Sequence, residues 1–209
     1  MKIKLKLSNK AIEELNRRCN ILCTNRTAVI QLLWLINLNK NISMNEIKNI
    51  EVQYDNVMQI QISDYLVENF KNAHTNLSET LNGYSLYVEY LLTSDTWDYS
   101  KYSTEKQDVQ MTLDIREDIF NELKNIKDNT GISYRGMLNY SIYYFGINTN
   151  IEPPLKGFGK QKSVNVFVPH FHKQLIDEAR KVQMFTNNKI AMQLLEKFIE
   201  MYRIWLYYL

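Results

Sequence analysis

Four times along these 209 residues a short run of alternating apolar and polar side chains is followed by two stretches of helical period. A side-chain period of two marks a half-buried strand, and spacings of three and four mark a helix with one apolar face. The fourth copy is the clearest. Val164, Val166 and Val168 alternate with Asn165 and Phe167. Pro169 then suits a strand end and a first helical turn. Phe171, Leu175, Ile176, Ala179 and Val182 recur at helical spacing, Thr186, Asn187 and Asn188 offer N-caps, and Ile190, Leu194, Leu195 and Phe198 form a second stripe. In the first copy Ile3, Leu5 and Leu7 alternate with Lys4 and Lys6, Ser8 caps a helix over 11–22, and Asn25, Arg26 and Thr27 open a helix over 28–36. The second has Met58, Ile60 and Ile62 against Gln59 and Gln61, a helix capped by Ser63 and Asp64 that runs to His74, and a start at 82–85 for a helix over 86–92. The third has Val109, Met111 and Leu113 against Gln110 and Thr112, Asp114 as the cap of a helix bearing Ile119, Leu123 and Ile126, Gly131 as its stop, and Ser133 capping 134–145. One alternating run arises easily by chance; the whole pattern four times does not.

The unit resembles the ribbon-helix-helix fold of the methionine-repressor and Arc-like DNA-binding proteins. The runs that carry the resemblance best are 164–169 (VNVFVP) and 131–138 (GISYRGML). The resemblance implies that two units pair, that their strands form a two-stranded antiparallel ribbon, and that this ribbon enters the DNA major groove. It further implies that outward strand side chains read bases while the start of each second helix grips phosphate. Members of that family usually hold one copy per chain and dimerise, whereas this chain holds four.

The expected fold class is therefore mainly α with short antiparallel β-ribbons, in tandem units paired into two pseudo-twofold domains. A single unit cannot bury both helix stripes, and a lone strand has no hydrogen-bonding partner. Linkers of this length close cheaply, so the simplest pairing is first with second and third with fourth. Residues 1–92 then form one domain, with units 1–39 and 57–92. Residues 108–209 form the other, with units 108–147 and 163–209. The polar stretch 93–107 joins them. Within 39–56, Ser43 and Glu46 make a capping box for a short helix through Ile50, or else Val52 and Tyr54 extend the following strand backwards. Glu152, Pro153, Pro154, Gly157 and Gly159 mark a loop.

With the apolar strand residues inward, Lys2, Lys4, Lys6, Gln59, Gln61, Gln110, Thr112, Asn165 and Phe167 face out. Lysine donates to guanine O6 and N7, glutamine and asparagine pair with adenine, and threonine or phenylalanine touches a thymine methyl group. Four unlike strands predict an asymmetric target. The expected phosphate contacts are Asn25, Arg26 and Thr27; Asn82 and Gly83; Ser133, Tyr134 and Arg135; and Asn187, Asn188 and Lys189. Free N–H groups and the helix dipole favour an anion at such starts, and only Arg26, Arg135 and Lys189 add evidence beyond capping.

Composition narrows the rest. The net charge is +2 and the pI about 8.3, which argues against a chain that coats nucleic acid indiscriminately. Lys2, Lys4, Lys6, Lys10, Arg17, Arg18 and Arg26 crowd the first repeat, while Asp64, Glu68, Glu79, Glu89, Asp95 and Asp98 weight the second towards acid. Cys19 and Cys23 are expected as buried free thiols, and no metal or other cofactor is anticipated. His170 and His172 are read as a solvated helix start, and His74 as a helix end. No signal sequence or spanning run is read, so a cytoplasmic location is expected, where the sequons at Asn25 and Asn76 have no role. The leading expectation is a sequence-specific double-stranded DNA-binding protein, either a transcriptional repressor or a plasmid or phage accessory factor. The alternative is a degenerate module that binds a protein, antitoxin-like or inhibitory, with the aromatic tail (Trp205, Tyr207 and Tyr208) available for self-association. No nucleophile constellation, phosphate loop or carboxylate cluster suggests an enzyme.

Overall fold

The computed structural model describes residues 1–40, 42, 44–48, 54–102, 108–147 and 160–207. The strand alternatives at Val52, the loop residues 152–159 and Tyr208 lie outside them. The elements run β1 (Lys2–Leu7), α1 (Asn9–Leu22), α2 (Arg26–Asn37), α3 (Met44–Lys48), β2 (Asn56–Gln61), α4 (Asp64–Ala73), α5 (Thr75–Ser78) and α6 (Gly83–Ser94). The second half follows with β3 (Asp108–Arg116), α7 (Glu117–Thr130), α8 (Tyr134–Phe145), β4 (Gln161–Pro169), α9 (His170–Gln183) and α10 (Asn187–Tyr207). The chain is mainly helical with two small antiparallel sheets: β1 pairs with β2, and β3 with β4.

Local chemistry sets the helix boundaries. Ser8, Asn25, Ser63 and Ser133 each accept a backbone N–H from the first turn of the helix they precede. The first helices of three units end alike. Cys23, Gly131 and Met184 adopt left-handed conformations, and two residues later Asn25, Ser133 and Thr186 start the next helix. Across the first such turn α1 and α2 meet at 92°. The second unit departs from the rule. There α5 is inserted, and left-handed Asn82 leads into α6 without a side-chain cap.

Strand parity does the rest. Ile3, Leu5, Leu7, Ile60, Met111, Leu113, Ile115, Val166 and Val168 are buried. Each such side chain is worth about 1.5–3 kcal/mol of removal from water. Second helices cross to the partner strand: Ser85 Oγ accepts the Lys6 N–H at 2.9 Å, and Asn139 Nδ2 donates to the Phe167 carbonyl at 2.9 Å. The buried residues of both halves form one continuous cluster, with α1 against α8 and α7 against α2 and α4. In the joining stretch, Trp97 is buried, stacks on Tyr143 at 4.2 Å and lies under the Arg18 guanidinium at 4.8 Å.

Several expectations need correction. Asp114 does not cap a helix: β3 continues to Arg116, and the Asp114 carboxylate accepts the Ser163 hydroxyl at 2.6 Å. Arg18 is fully buried between Glu14, Asp95 and Trp97, so it adds nothing to the basic surface of the first repeat. Glu89 is also internal and accepts both the N–H and the hydroxyl of Ser8. His172 is not a solvated end: it is fully buried between Asn139 and Tyr102, and burial pushes its pKa down to about 3. His74 does end α4, as its C-cap, but it packs on Phe70 and Tyr87, and burial lowers its pKa, against the positive charge expected there. Val182 lies off the core at 66% exposure. Trp205 is not a free aromatic: it packs on Tyr140 and Phe198.

Candidate nucleic-acid interface

Each ribbon has one face in the core and one in solvent. On the first, register sets Lys2 opposite Gln61, Lys4 opposite Gln59 and Lys6 opposite Val57. Lys2, Lys4, Gln59, Gln61 and Val57 are exposed and Lys6 half-buried. None of the three ammonium groups or two amides has a side-chain hydrogen bond or ion pair among the described residues. Val57, 60% exposed, is a member of this face that sequence reading missed. Parity with Gln59 and Gln61 would have found it, since the strand starts at Asn56.

On the second ribbon Gln110 lies opposite Phe167, Thr112 opposite Asn165, Asp114 opposite Ser163 and Arg116 opposite Gln161. Gln110, Thr112, Asn165 and Phe167 are exposed. The Thr112 hydroxyl donates to Asn165 Oδ1 at 2.8 Å. Asp114 is held by Ser163 and, at 3.4 Å, by Asn188. Arg116 is ion-paired with Asp118 and Glu196. The outward positions at Asp114, Arg116, Gln161 and Ser163 went unread because the strands run further than the expected cap allowed.

The helix starts differ from one another. Asn25 spends its side chain on the Ala28 N–H, Thr27 is half-buried, and exposed Arg26 donates to Asn16. Asn25, Thr27, Gln31 and Gln61 line one groove of about 500 Å³, shared with the carboxylates of Asp64 and Asp128. At α6, Gly83 is buried and its N–H already donates to the Thr80 carbonyl, so Asn82 and Gly83 offer a phosphate little. At α8, Ser133 caps, Tyr134 packs on Phe120 under Lys127, and half-buried Arg135 keeps a guanidinium without an internal partner among the described residues. At α10 the cap is Thr186, which accepts the Lys189 N–H at 3.3 Å, while exposed Lys189 lies over the Phe185 ring. Thr112, Arg180, Thr186, Asn187 and Asn188 line a second groove of about 470 Å³. In both grooves an outward strand residue and a second-helix start lie side by side.

Other chemistry finds little support. Neither cysteine forms a disulfide, and burial pushes the Cys19 thiol up to about 12, well away from a reactive thiolate. Among the described residues no group of three His, Cys, Asp or Glu side chains is placed to hold a metal ion. No single described helix is long and apolar enough to cross a membrane. No family model, curated protein or solved structure matches the chain. What can be said of function therefore rests on the ribbon faces and the helix starts.

Proposed function

We propose that the chain is a tandem ribbon-helix-helix protein that binds double-stranded DNA sequence-specifically, with two pseudo-twofold domains built from paired units. It acts as a transcriptional repressor or as an accessory factor at a plasmid or phage site, and not as an enzyme. One observation carries this reading: exposed Lys2 and Lys4 face Gln61 and Gln59, with half-buried Lys6 continuing their row, on a ribbon whose opposite side is core. Charged and amide ends held free of internal partners cost the fold nothing to present, and they match the donor and acceptor pattern of guanine and adenine edges. Arg26, Arg135 and Lys189 at second-helix starts supply backbone contacts that fix register without reading sequence.

The test is fluorescence anisotropy of the full chain on duplex DNA drawn from its own locus, as salt rises from 50 to 200 mM. Two or three neutralised phosphates give a slope of about −1.8 to −2.7 in log K against log salt, a loss of about 10- to 40-fold. Lys4→Ala is expected to weaken the preferred duplex by about 1–3 kcal/mol while leaving nonspecific DNA less affected. Binding that is absent or indifferent to salt contradicts the reading. A module docking a protein through its ribbon faces, where Val57 and Phe167 stand exposed, then takes its place.

A further inference from the structure

We infer that base recognition is confined to the β1–β2 ribbon, and that the β3–β4 ribbon is closed to base reading by its own side chains. This rests on the DNA-binding reading above and sharpens it. The two outward faces look alike in sequence, as polar side chains on alternate positions, yet the structure separates them by what those side chains already bond.

On β1–β2 every polar end is unspent: Lys2, Lys4, Lys6, Gln59 and Gln61 make no side-chain hydrogen bond or ion pair among the described residues. Binding there strips only water. On β3–β4 the polar ends bond each other. Asn165 pairs with adenine through both its carbonyl and its amide nitrogen, but its Oδ1 already accepts the Thr112 hydroxyl, which holds the amide across the ribbon and leaves one lone pair. The hydroxyl Thr112 would offer a base is spent in the same bond. Asp114 places a carboxylate in the outward row, bridged to Ser163 and to Asn188 at the start of α10. A carboxylate fixed beside that start takes the place a phosphate would have and repels one that approaches. Arg116, the cation that would offset it, is bound to Asp118 and Glu196. Among the described residues Gln110 and Gln161 keep free amides; Gln110 faces the Phe167 ring, and Gln161 lies at the ribbon's end opposite the ion-paired Arg116.

The reading ribbon also sets the size and polarity of the target. Its three cross-strand rows lie two residues apart, so they span about 13 Å at about 3.3 Å per residue. That is about four base pairs at about 3.4 Å each. The lysines all lie on β1 and the glutamines on β2. Guanine contacts therefore fall along one side of the box and adenine contacts along the other, with Val57 placed against a thymine methyl group. The target is one compact, non-palindromic box.

The experiment is selection of binding sites from a random duplex library by the full chain and by three variants. These are Lys4→Ala with Gln59→Ala, Gln110→Ala with Thr112→Ala, and Asp114→Asn. All the substituted side chains lie on the outward rows, and thermal melts confirm that each variant folds. The wild type is expected to enrich a single box of about four base pairs containing guanine. The β3 double variant is expected to enrich the same box, and the β1–β2 double variant to lose it. Asp114→Asn is expected to bind duplex DNA more tightly with an unchanged box. Two boxes in the wild-type selection, or a box altered by the β3 double variant, overturn the division of labour and leave DNA binding standing. A wild type that enriches nothing removes DNA binding and this inference together.

Discussion

His172→Gln isolates a polar network that ties four elements together. The imidazole is fully buried, with Nδ1 at 2.9 Å from Asn139 Oδ1 and Nε2 at 2.7 Å from the Tyr102 hydroxyl. Asn139 in turn donates to the carbonyls of Leu22 and Phe167. Asn139 Oδ1 can only accept, so Nδ1 carries the proton and Nε2 accepts from Tyr102. At pH 7.5 the substitution is expected to cost about 1–3 kcal/mol, since it leaves buried partners imperfectly satisfied. The pH dependence is more diagnostic. Burial holds the folded pKa at about 3, against about 6.5 in the unfolded chain. Between these values the unfolded state binds the proton and the folded state does not, so stability falls as pH drops below about 6.5. At pH 5.0 the wild type has lost about 2 kcal/mol through this one group, and the glutamine variant loses none of it. The gap between the two proteins should therefore narrow by about 2 kcal/mol from pH 7.5 to 5.0 in urea titrations. His74 and the carboxylates titrate in both proteins and cancel. Curves that stay parallel across that window refute the argument.

Three further outcomes follow from the packing and the surface. Gly131→Ala adds a Cβ at φ +76° and about 2.6 Å from the Gln31 side-chain amide; it is expected to destabilise by at least about 1 kcal/mol and to lower the melting temperature. Glu89→Ala strands the Ser8 N–H and hydroxyl that the carboxylate accepts at 3.0 and 2.5 Å; a loss of about 2–3 kcal/mol is expected in urea titration. Arg26→Ala is expected to weaken binding about equally on all duplexes and to reduce the salt slope by about 1, as read by anisotropy.

Much of the fold was legible because it obeys short-range rules. Ile3, Leu5 and Leu7 alternate and are buried; Ser8, Asn25, Ser63 and Ser133 look like caps and accept the N–H groups that caps accept. The short helix α3 is one of the two readings that the sequence left open for 39–56. What stayed hidden was polar residues set on apolar stripes. Arg18 falls in line with Ala11, Leu15 and Leu22, Glu89 with Ser85 and Leu92, and His172 with Ile176 and Ala179. Spacing alone places each of them inward, but composition reads them as surface charge or a solvated end. Their partners, Trp97, Ser8 and Tyr102, come from distant parts of the chain, so no local rule supplies them. Asp114 misled for a different reason. An aspartate ahead of an apolar helix is a good cap, yet Ile115 continues the alternation, and a cross-strand serine and Asn188 compete for the carboxylate. The candidate site was legible as a set of positions. Which of its groups are free was not, because Thr112 and Asn165 meet only once the strands are in register.

Guanine N7 methylation interference on the preferred duplex tests the ribbon's place in the major groove most directly. Lysines from β1 meeting guanine N7 predict that methylation within one short box abolishes binding, while methylation elsewhere leaves it intact. Binding that tolerates methylation at every guanine would place the lysines outside the groove and contradict the account.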